Sequence, residues 1–364
     1  MSSAGQGYRV AVIGAGSLLG KEVIAVLKER DFPTARLVTP DALDEEEPDL
    51  PVLDLMGDGA ARFADADAGD ADLDFAFLAG PLAMGSKISA GGDSLPFLQS
   101  AKQLAAATQC TVIDLRDSLT GESGGILLIP VLDRAGVPSA SVERKNPAAS
   151  RFVISAHPAT IVLSTILLRL ASRVTLQRVV AHVFGAASEI GSHGIEELQR
   201  QTSSLLSFQK LPQSVFGAQL AFNLLPRLGR GRKVQPGLES RIQAELVLYL
   251  GGRVPAPALR VIQVPVFHSM ACSLYVELSQ PAAPELLSQS LAGAPIQLRK
   301  STEPAPTQVE VSGSDDIIVD AILPDGQHSA GYWIWAAADN LRLAALNAVE
   351  IAENMAGEKP ARSQ

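Results

Sequence analysis

The chain opens with a short apolar run, RVAVI at 9–13, a glycine turn, GAGSLLG, and then KEVIAVLKERD, whose apolar positions recur every three or four residues. A buried strand, a tight turn and an amphipathic helix in that order open a parallel α/β unit. ARLVTP (35–40), DLDFAFLAG (72–80) and CTVIDL (110–115) read as further strands, with a helical stretch around Leu95 to Ala107 between the last two. Strand alternating with helix predicts an α/β fold with a Rossmann-type, doubly wound parallel sheet.

The texture changes near residue 150. FVISAHP leads into a helix over 160–172, RVVAHVFGAAS reads as a strand and IEELQRQTSSLL as a polar helix. VIQVPVFHSMACSLYVEL (261–278) reads as one long strand of an antiparallel sheet, and RLGRGRKVQPG (227–237) as a basic loop. In LRLAALNAVEIAENMA (341–356), Leu341, Ala344, Ala345, Ala348, Val349 and Ala352 share one face, so this helix needs an apolar partner. The expected organisation is a nucleotide-binding domain over 1–150 completed by a C-terminal helix at 338–358. An α+β domain of dimerisation or catalytic type occupies 151–337.

A length of 364 residues suits two domains, and 47% hydrophobic with 19% charged residues suits a buried core. Two cysteines, Cys110 and Cys272, are too few for a disulfide framework or a four-thiolate zinc site, which fits a reducing compartment. The most apolar stretch, IVLSTILLRL (161–170), is broken by Arg169, and the first strand pattern begins at Tyr8, where a leader would have to end. A cytoplasmic protein is expected. Thirteen of the acidic residues lie between Asp41 and Asp74 against one basic residue, Arg62, so the net charge of −9 is local. Such a segment is a solvated excursion or an electrostatic filter near a ligand, and it repels nucleic acid.

In the glycine turn, Gly14, Gly16 and Gly20, with Ser17 and Leu18 at the helix start, could present backbone N–H groups to a pyrophosphate. The spacing G-x-G-x-x-x-G departs from G-x-G-x-x-G, and a tight turn without a ligand would read the same. Asp41, 21 positions after Gly20, sits where an acidic residue meets a ribose 2′-hydroxyl, and no arginine follows the second strand to meet a 2′-phosphate. NAD is therefore expected over NADP, although Asp41 could equally be the first member of the acidic loop.

Several segments together resemble the aspartate-β-semialdehyde dehydrogenase family. AVIGAGSLLGKEVIAVLKERDFP is similar to its cofactor-binding start, TVIDLRDSL to its fourth-strand region, and LIPVLD to its Pro-x-x-Asn segment. ISAHPATI stands where the family carries its nucleophile motif. FGAQLAFNLLP, VIQVPVFHSMACSLYVEL and ADNLRLAALNAVEIAE resemble its Q-x-A-F-N-x-x-P segment, its histidine strand and its closing helix. The resemblance implies a dimer and a thioester mechanism: a thiolate attacks the aldehyde, a histidine moves the proton, arginines hold carboxylate and phosphate, and hydride passes to NADP.

Carried over residue by residue, that machinery is missing. The family's Asn-Pro-Asn-Cys-Ser-Thr becomes His157-Pro158-Ala159-Thr160, without cysteine. The family's glutamine falls on Gly185, its substrate arginine on Gln263 and its histidine on Met270, while a further arginine falls near Thr120. What remains is Glu239 and Arg241, at the family's Glu-x-Lys pair, with His157 in a substrate-like pocket, and Asn340 near the cofactor; Leu343 stands where Lys-Gly follows. No metal spacing involves His182 or His193, and His328 lies in a glycine-rich turn. If 261–278 is one strand, His268, Met270 and Cys272 share a face, but His268 and Cys272 are about 13 Å apart and form no dyad. Cys272 and Cys110 then read as small core hydrophobes.

Three functions stay open at this level. One is a degenerate homologue, a homodimer with a retained nucleotide or acidic small-molecule site. Another is an active NAD(P)-dependent, phosphorylating semialdehyde dehydrogenase with relocated groups. The third is simple carbonyl reduction, which no residue pattern positively supports.

Overall fold

The computed structural model describes residues 7–39, 73–80, 110–116, 125–134, 151–226 and 237–358. The acidic segment from Asp41, Thr120, the basic loop at 227–236 and the helical stretch near Leu95 lie outside them. The chain divides into two compact units: residues 1–130, 144–156 and 344–364 form one, and residues 131–143 and 157–343 the other.

The first unit is built on six strands: β1 (Tyr8–Ile13), β2 (Thr34–Val38), β3 (Phe75–Leu78), β4 (Thr111–Asp114), β5 (Ile126–Leu128) and β6 (Phe152–Ser155). They lie in the order β2-β1-β3-β4-β6-β5, and every pair is parallel. β6, which the change of texture near residue 150 groups with the second half, is a strand of this first sheet. Successive side chains alternate between two buried layers, which is why the strands read as unbroken apolar runs. Val10, Val12, Phe75, Phe77, Ile113 and Val153 pack with Val23, Val26 and Leu27 of α1 (Leu18–Glu29), whereas Ala11, Ile13, Ala76, Leu78, Val112 and Ile154 line the other face. The same first layer takes in Ala345, Ala348, Val349 and Ala352 from the closing helix.

In the second unit, β7 (Leu176–Gly185), β8 (Ala258–Gln263), β9 (Met270–Leu278), β10 (Ile296–Leu298), β11 (Ile317–Val319) and β13 (Gly331–Ala338) run in the order β10-β11-β13-β9-β7-β8. The two-residue strand β12 (Leu323–Pro324) pairs with β13. The sheet is mixed: β7 pairs parallel with β8 and antiparallel with β9. Its helices are α2 (Pro158–Ala171), α3 (Ser192–Leu206), α4 (Gly237–Leu250), α5 (Pro284–Leu291) and α6 (Asn340–Glu358), the last running from this unit into the first. α2 is buried all round, from Pro158 to Leu170, so apolar residues occur on every side of it. Its one charged residue, Arg169, donates to the carbonyls of Leu291, Gly293 and Ala294 at the end of α5. No helix among the described residues is long and apolar enough to cross a membrane.

The single strand expected over 261–278 is two strands. Pro265 has no N–H for a ladder and sits at the centre of a tight turn closed by Val266 N–H to Val264 O at 2.9 Å, and Ser269 has φ +70°. The backbone therefore leaves the sheet after Gln263 and re-enters at Met270 with reversed direction. His268 lies in the connection between that turn and β9, so it shares no strand face with Met270 and Cys272.

Candidate functional site

The glycine turn of the first unit is shaped by backbone contacts. Gly14 has φ +77°, and a Cβ there would stand 2.2 Å from the Gly80 Cα at the end of β3, a separation only glycine permits. A Cβ on Gly20 would meet the Gly14 carbonyl oxygen at 2.1 Å, so α1 starts directly against the turn. Ser17 is the N-cap: its hydroxyl accepts from Gly20 N–H at 3.0 Å and donates to Gly14 O at 2.7 Å. Gly16 is exposed, and Ser17 and Leu18 are partly so. β1 and β3 are neighbours, while the chain visits β2 on the other side between them, so the turn lies where strand order reverses, the place a dinucleotide occupies in such sheets. The donors there are backbone N–H groups at the start of a twelve-residue helix, which fit a phosphate. Asp41 lies outside the described residues.

The second candidate lies at the start of α2. His157 is its N-cap, with Nδ1 accepting from Ala159 N–H at 3.1 Å. In the neutral ring that leaves the proton on Nε2, which donates to Glu189 Oε1 at 2.8 Å. Glu245 on α4 binds the same corner: its Oε2 accepts from His157 N–H at 2.9 Å and from the Thr160 hydroxyl at 2.5 Å, and its Oε1 accepts from Arg241 Nε at 2.8 Å. Asn340 closes the other side. Its Oδ1 accepts from Ser269 N–H and the Ser188 hydroxyl, and its Nδ2 donates to Glu189 Oε2 at 3.3 Å. Burial pushes the Glu189 carboxyl up, but His157, Arg241 and Asn340 outweigh it and hold the group below the usual carboxylate range.

Of the residues expected in a substrate-like pocket, His157 and Arg241 meet through Glu245. Glu239 does not join them: its carboxylate accepts from Val261 N–H at 3.0 Å and pairs with Arg260 at the edge of β8. Gly185 and Gln263 are register partners, with Gln263 Nε2 donating to Gly185 O at 2.9 Å, and Met270 begins β9 beside them. The positions onto which the family's glutamine, arginine and histidine fall are thus brought to one end of β7, carrying groups that can neither titrate nor bear charge. Asn340, expected near the cofactor, has its amide engaged within the second unit. Glu189 and Glu245 are the residues that sequence reasoning missed. The spacing Arg241–Glu245, one helical turn, was the available signal for the second; nothing local marked Glu189.

Cys272 is buried on β9, where loss of solvation pushes its thiol up to about 12, and Cys110 is buried at the start of β4. Among the described residues no group of three or more histidine, cysteine or acidic side chains could hold a metal ion.

A six-stranded parallel sheet with a glycine turn at its switch point, joined to a mixed-sheet unit, defines a two-unit α/β protein with a Rossmann-type first unit. A model of the semialdehyde dehydrogenase dimerisation domain matches residues 167–343. The chain is 28% identical over 361 residues to the aspartate-semialdehyde dehydrogenase of Shewanella sp. (strain DB6705), covering 96% of this chain and 97% of that one. It is 29% identical over 358 residues to the enzyme of that name from Rickettsia bellii (strain RML369-C), with the same coverage. A solved structure described as a probable aspartate-semialdehyde dehydrogenase from Pseudomonas aeruginosa matches with a TM-score of 0.74 and 25% identity, over 96% of this chain and 98% of that chain. Over nearly its whole length the chain is thus similar to aspartate-semialdehyde dehydrogenases, and over residues 167–343 it matches the semialdehyde dehydrogenase dimerisation domain.

Proposed function

We propose that this chain is a family member without the thioester chemistry: a cytoplasmic homodimer, formed mainly through its second unit, that retains a nucleotide site. The carrying observation is the start of α2, where the nucleophile would stand. The Thr160 hydroxyl is held by Glu245, both ring nitrogens of His157 are engaged, and each cysteine of the chain is buried elsewhere. A dinucleotide on the glycine turn would be held by backbone N–H groups near Gly14, Gly16, Ser17 and Gly20, which do not depend on the missing side chains. The position of Asp41 favours NAD over NADP. When bound, the nucleotide would accept or give a hydride, whereas this chain's own residues bind and orient it.

The test is calorimetric titration with NAD and NADP, followed by assay of phosphate-dependent nucleotide reduction with aspartate semialdehyde. Binding without turnover above background is expected, because losing a nucleophile or its base costs about 10⁴ to 10⁶ in rate. Turnover by the natural chain that is lost in Cys272→Ser would overturn the reading in favour of a relocated thiol.

A further inference from the structure

One face of the mixed sheet in the second unit carries a histidine, His182, that neither candidate site uses. Side chains along a strand alternate between faces. On β7 and β9, Val179, Ala181, Val183, Leu274 and Val276 are buried on the face against which α2 packs. Val180, His182, Ser273 and Tyr275 belong to the other face and are half-buried. The register extends that second face across four strands. Arg260, His182, Ser273 and Trp335 form one row over β8, β7, β9 and β13, and Ala258, Val180, Tyr275 and Trp333 form the next. The Tyr275 and Trp333 rings lie 4.9 Å apart, and Trp333 is 45% exposed.

The middle of this face is apolar and aromatic, and its charges stand at the rim in pairs of opposite sign. Arg178 lies 3.8 Å from Glu277, and Arg260 lies 3.4 Å from Glu239 of α4. An apolar centre ringed by both signs suits a second copy of the same surface, because a twofold axis can set each arginine toward a carboxylate of the other copy. We infer that the second copy of the homodimer sits on this face and that His182 within it makes the association pH-dependent, holding at neutral pH and loosening in acid. The inference rests on the homodimer reading above and names the surface and the titrating group.

The groups around His182 set the sign. Arg260 of β8 stands one strand spacing away, about 4.8 Å. Ser273 of β9 and Trp335 of β13 complete the row without charge, and Tyr275 in the next row donates its hydroxyl to Asp325. Glu277 lies two rows off and has Arg178 and His328 beside it, while Glu310, on the segment that reaches Trp335 through Pro306 O, pairs with Arg299. Among the described residues, therefore, no carboxylate shares the row of His182, and its one charged member is a cation. A second copy also shuts out water, and both effects disfavour an imidazolium in the dimer. The dimer then binds fewer protons than its separated chains, so acid pulls it apart.

Sedimentation of the full chain at about pH 7.5 and about pH 5.5 measures the dissociation constant of the dimer on either side of the imidazole range. One pH unit below the ordinary imidazole value of about 6.5, a site that must give up its proton weakens association about tenfold, and two copies give about 100-fold. His182→Gln should dimerise like the natural chain at the higher pH and lose most of this response. Val180→Asp puts a charge in the middle of the face and should be monomeric at both; circular dichroism reports whether each variant is folded. A natural dimer equally tight at both pH values overturns the inference whether or not a variant folds. So does an unchanged pH response in folded His182→Gln, or a folded Val180→Asp that dimerises like the natural chain. If the natural chain is monomeric even at the higher pH, the homodimer reading itself has failed and takes this inference with it.

Discussion

The two candidate sites are built from different materials. At the glycine turn the shape comes from main chain: Gly14 against Gly80, Gly20 against the Gly14 carbonyl, and one short side chain, Ser17, as cap. At the start of α2 it comes from side chains, with Glu245 holding His157, Thr160 and Arg241, and Glu189 holding His157 and Asn340. A main-chain site tolerates drift everywhere except at its glycines, since any residue but proline supplies an N–H. A side-chain site changes function whenever one member changes, and its other polar groups must then find new partners or be lost. In the second unit the side chains of His157, Thr160, Glu189, Glu245 and Asn340 are paired with one another or with neighbouring groups, which is the arrangement expected of a structural network.

The sharpest way to break the comparison is to remove Glu245. Its carboxylate is 3% exposed and serves three residues at the start of α2 and on α4 through three donors: His157 N–H, the Thr160 hydroxyl and the Arg241 guanidinium. Glu245→Ala leaves Arg241, itself 10% exposed, without this counter-charge. The expected loss is about 3–5 kcal/mol of stability, read by urea denaturation, with the affinity for NAD nearly unchanged if the variant remains folded. A loss under about 1 kcal/mol would mean that the corner is not a stabilising network but a site whose groups are free to serve a ligand.

The converse experiment strikes the main chain. Gly14→Ala introduces a Cβ where the φ of +77° disfavours one and where Gly80 leaves no room. Strain in the left-handed region alone is about 1–2 kcal/mol per residue, and the clash adds to it, so a destabilisation of about 2–4 kcal/mol together with loss of nucleotide binding is expected. Retention of full NAD affinity in a stable Gly14→Ala protein would show that the turn is only a fold element.

The same contrast explains what the sequence made legible. The strand-turn-helix opening, the parallel sheet and the apolar face of the closing helix follow from local periodicity, and residues 8–29 and 340–358 carry those signals without help from distant parts of the chain. The long strand over 261–278 was misread because alternation persists across Pro265 and Ser269, and only a reversal of direction, which periodicity cannot encode, divides it. At the α2 corner, His157 and Thr160 could be named from the missing family motif, but their partners could not. Glu189 is 32 residues from His157 and Glu245 is 88, distances across which no sequence pattern ties a carboxylate to an N-cap.

The smallest effect concerns Glu189, and its sign follows from the network. Burial raises its pKa, and the hydrogen bond from His157, the field of Arg241 and the Asn340 amide lower it further than burial raises it. A carboxyl held lower in the folded than in the unfolded chain contributes stability above its unfolded value of about 4.3, and that contribution is lost as pH falls through the folded value. Glu189→Gln keeps the shape but removes the charge. Relative to the natural chain it should lose about 1–2 kcal/mol near pH 7, and the difference should shrink below pH 4 as the natural carboxyl takes up its proton. Urea denaturation of both proteins between pH 3 and pH 7 measures this. Parallel curves, with a constant offset across the range, would mean that the ionised carboxylate gains nothing from its pairing with His157, and the second site would then owe its geometry to packing alone.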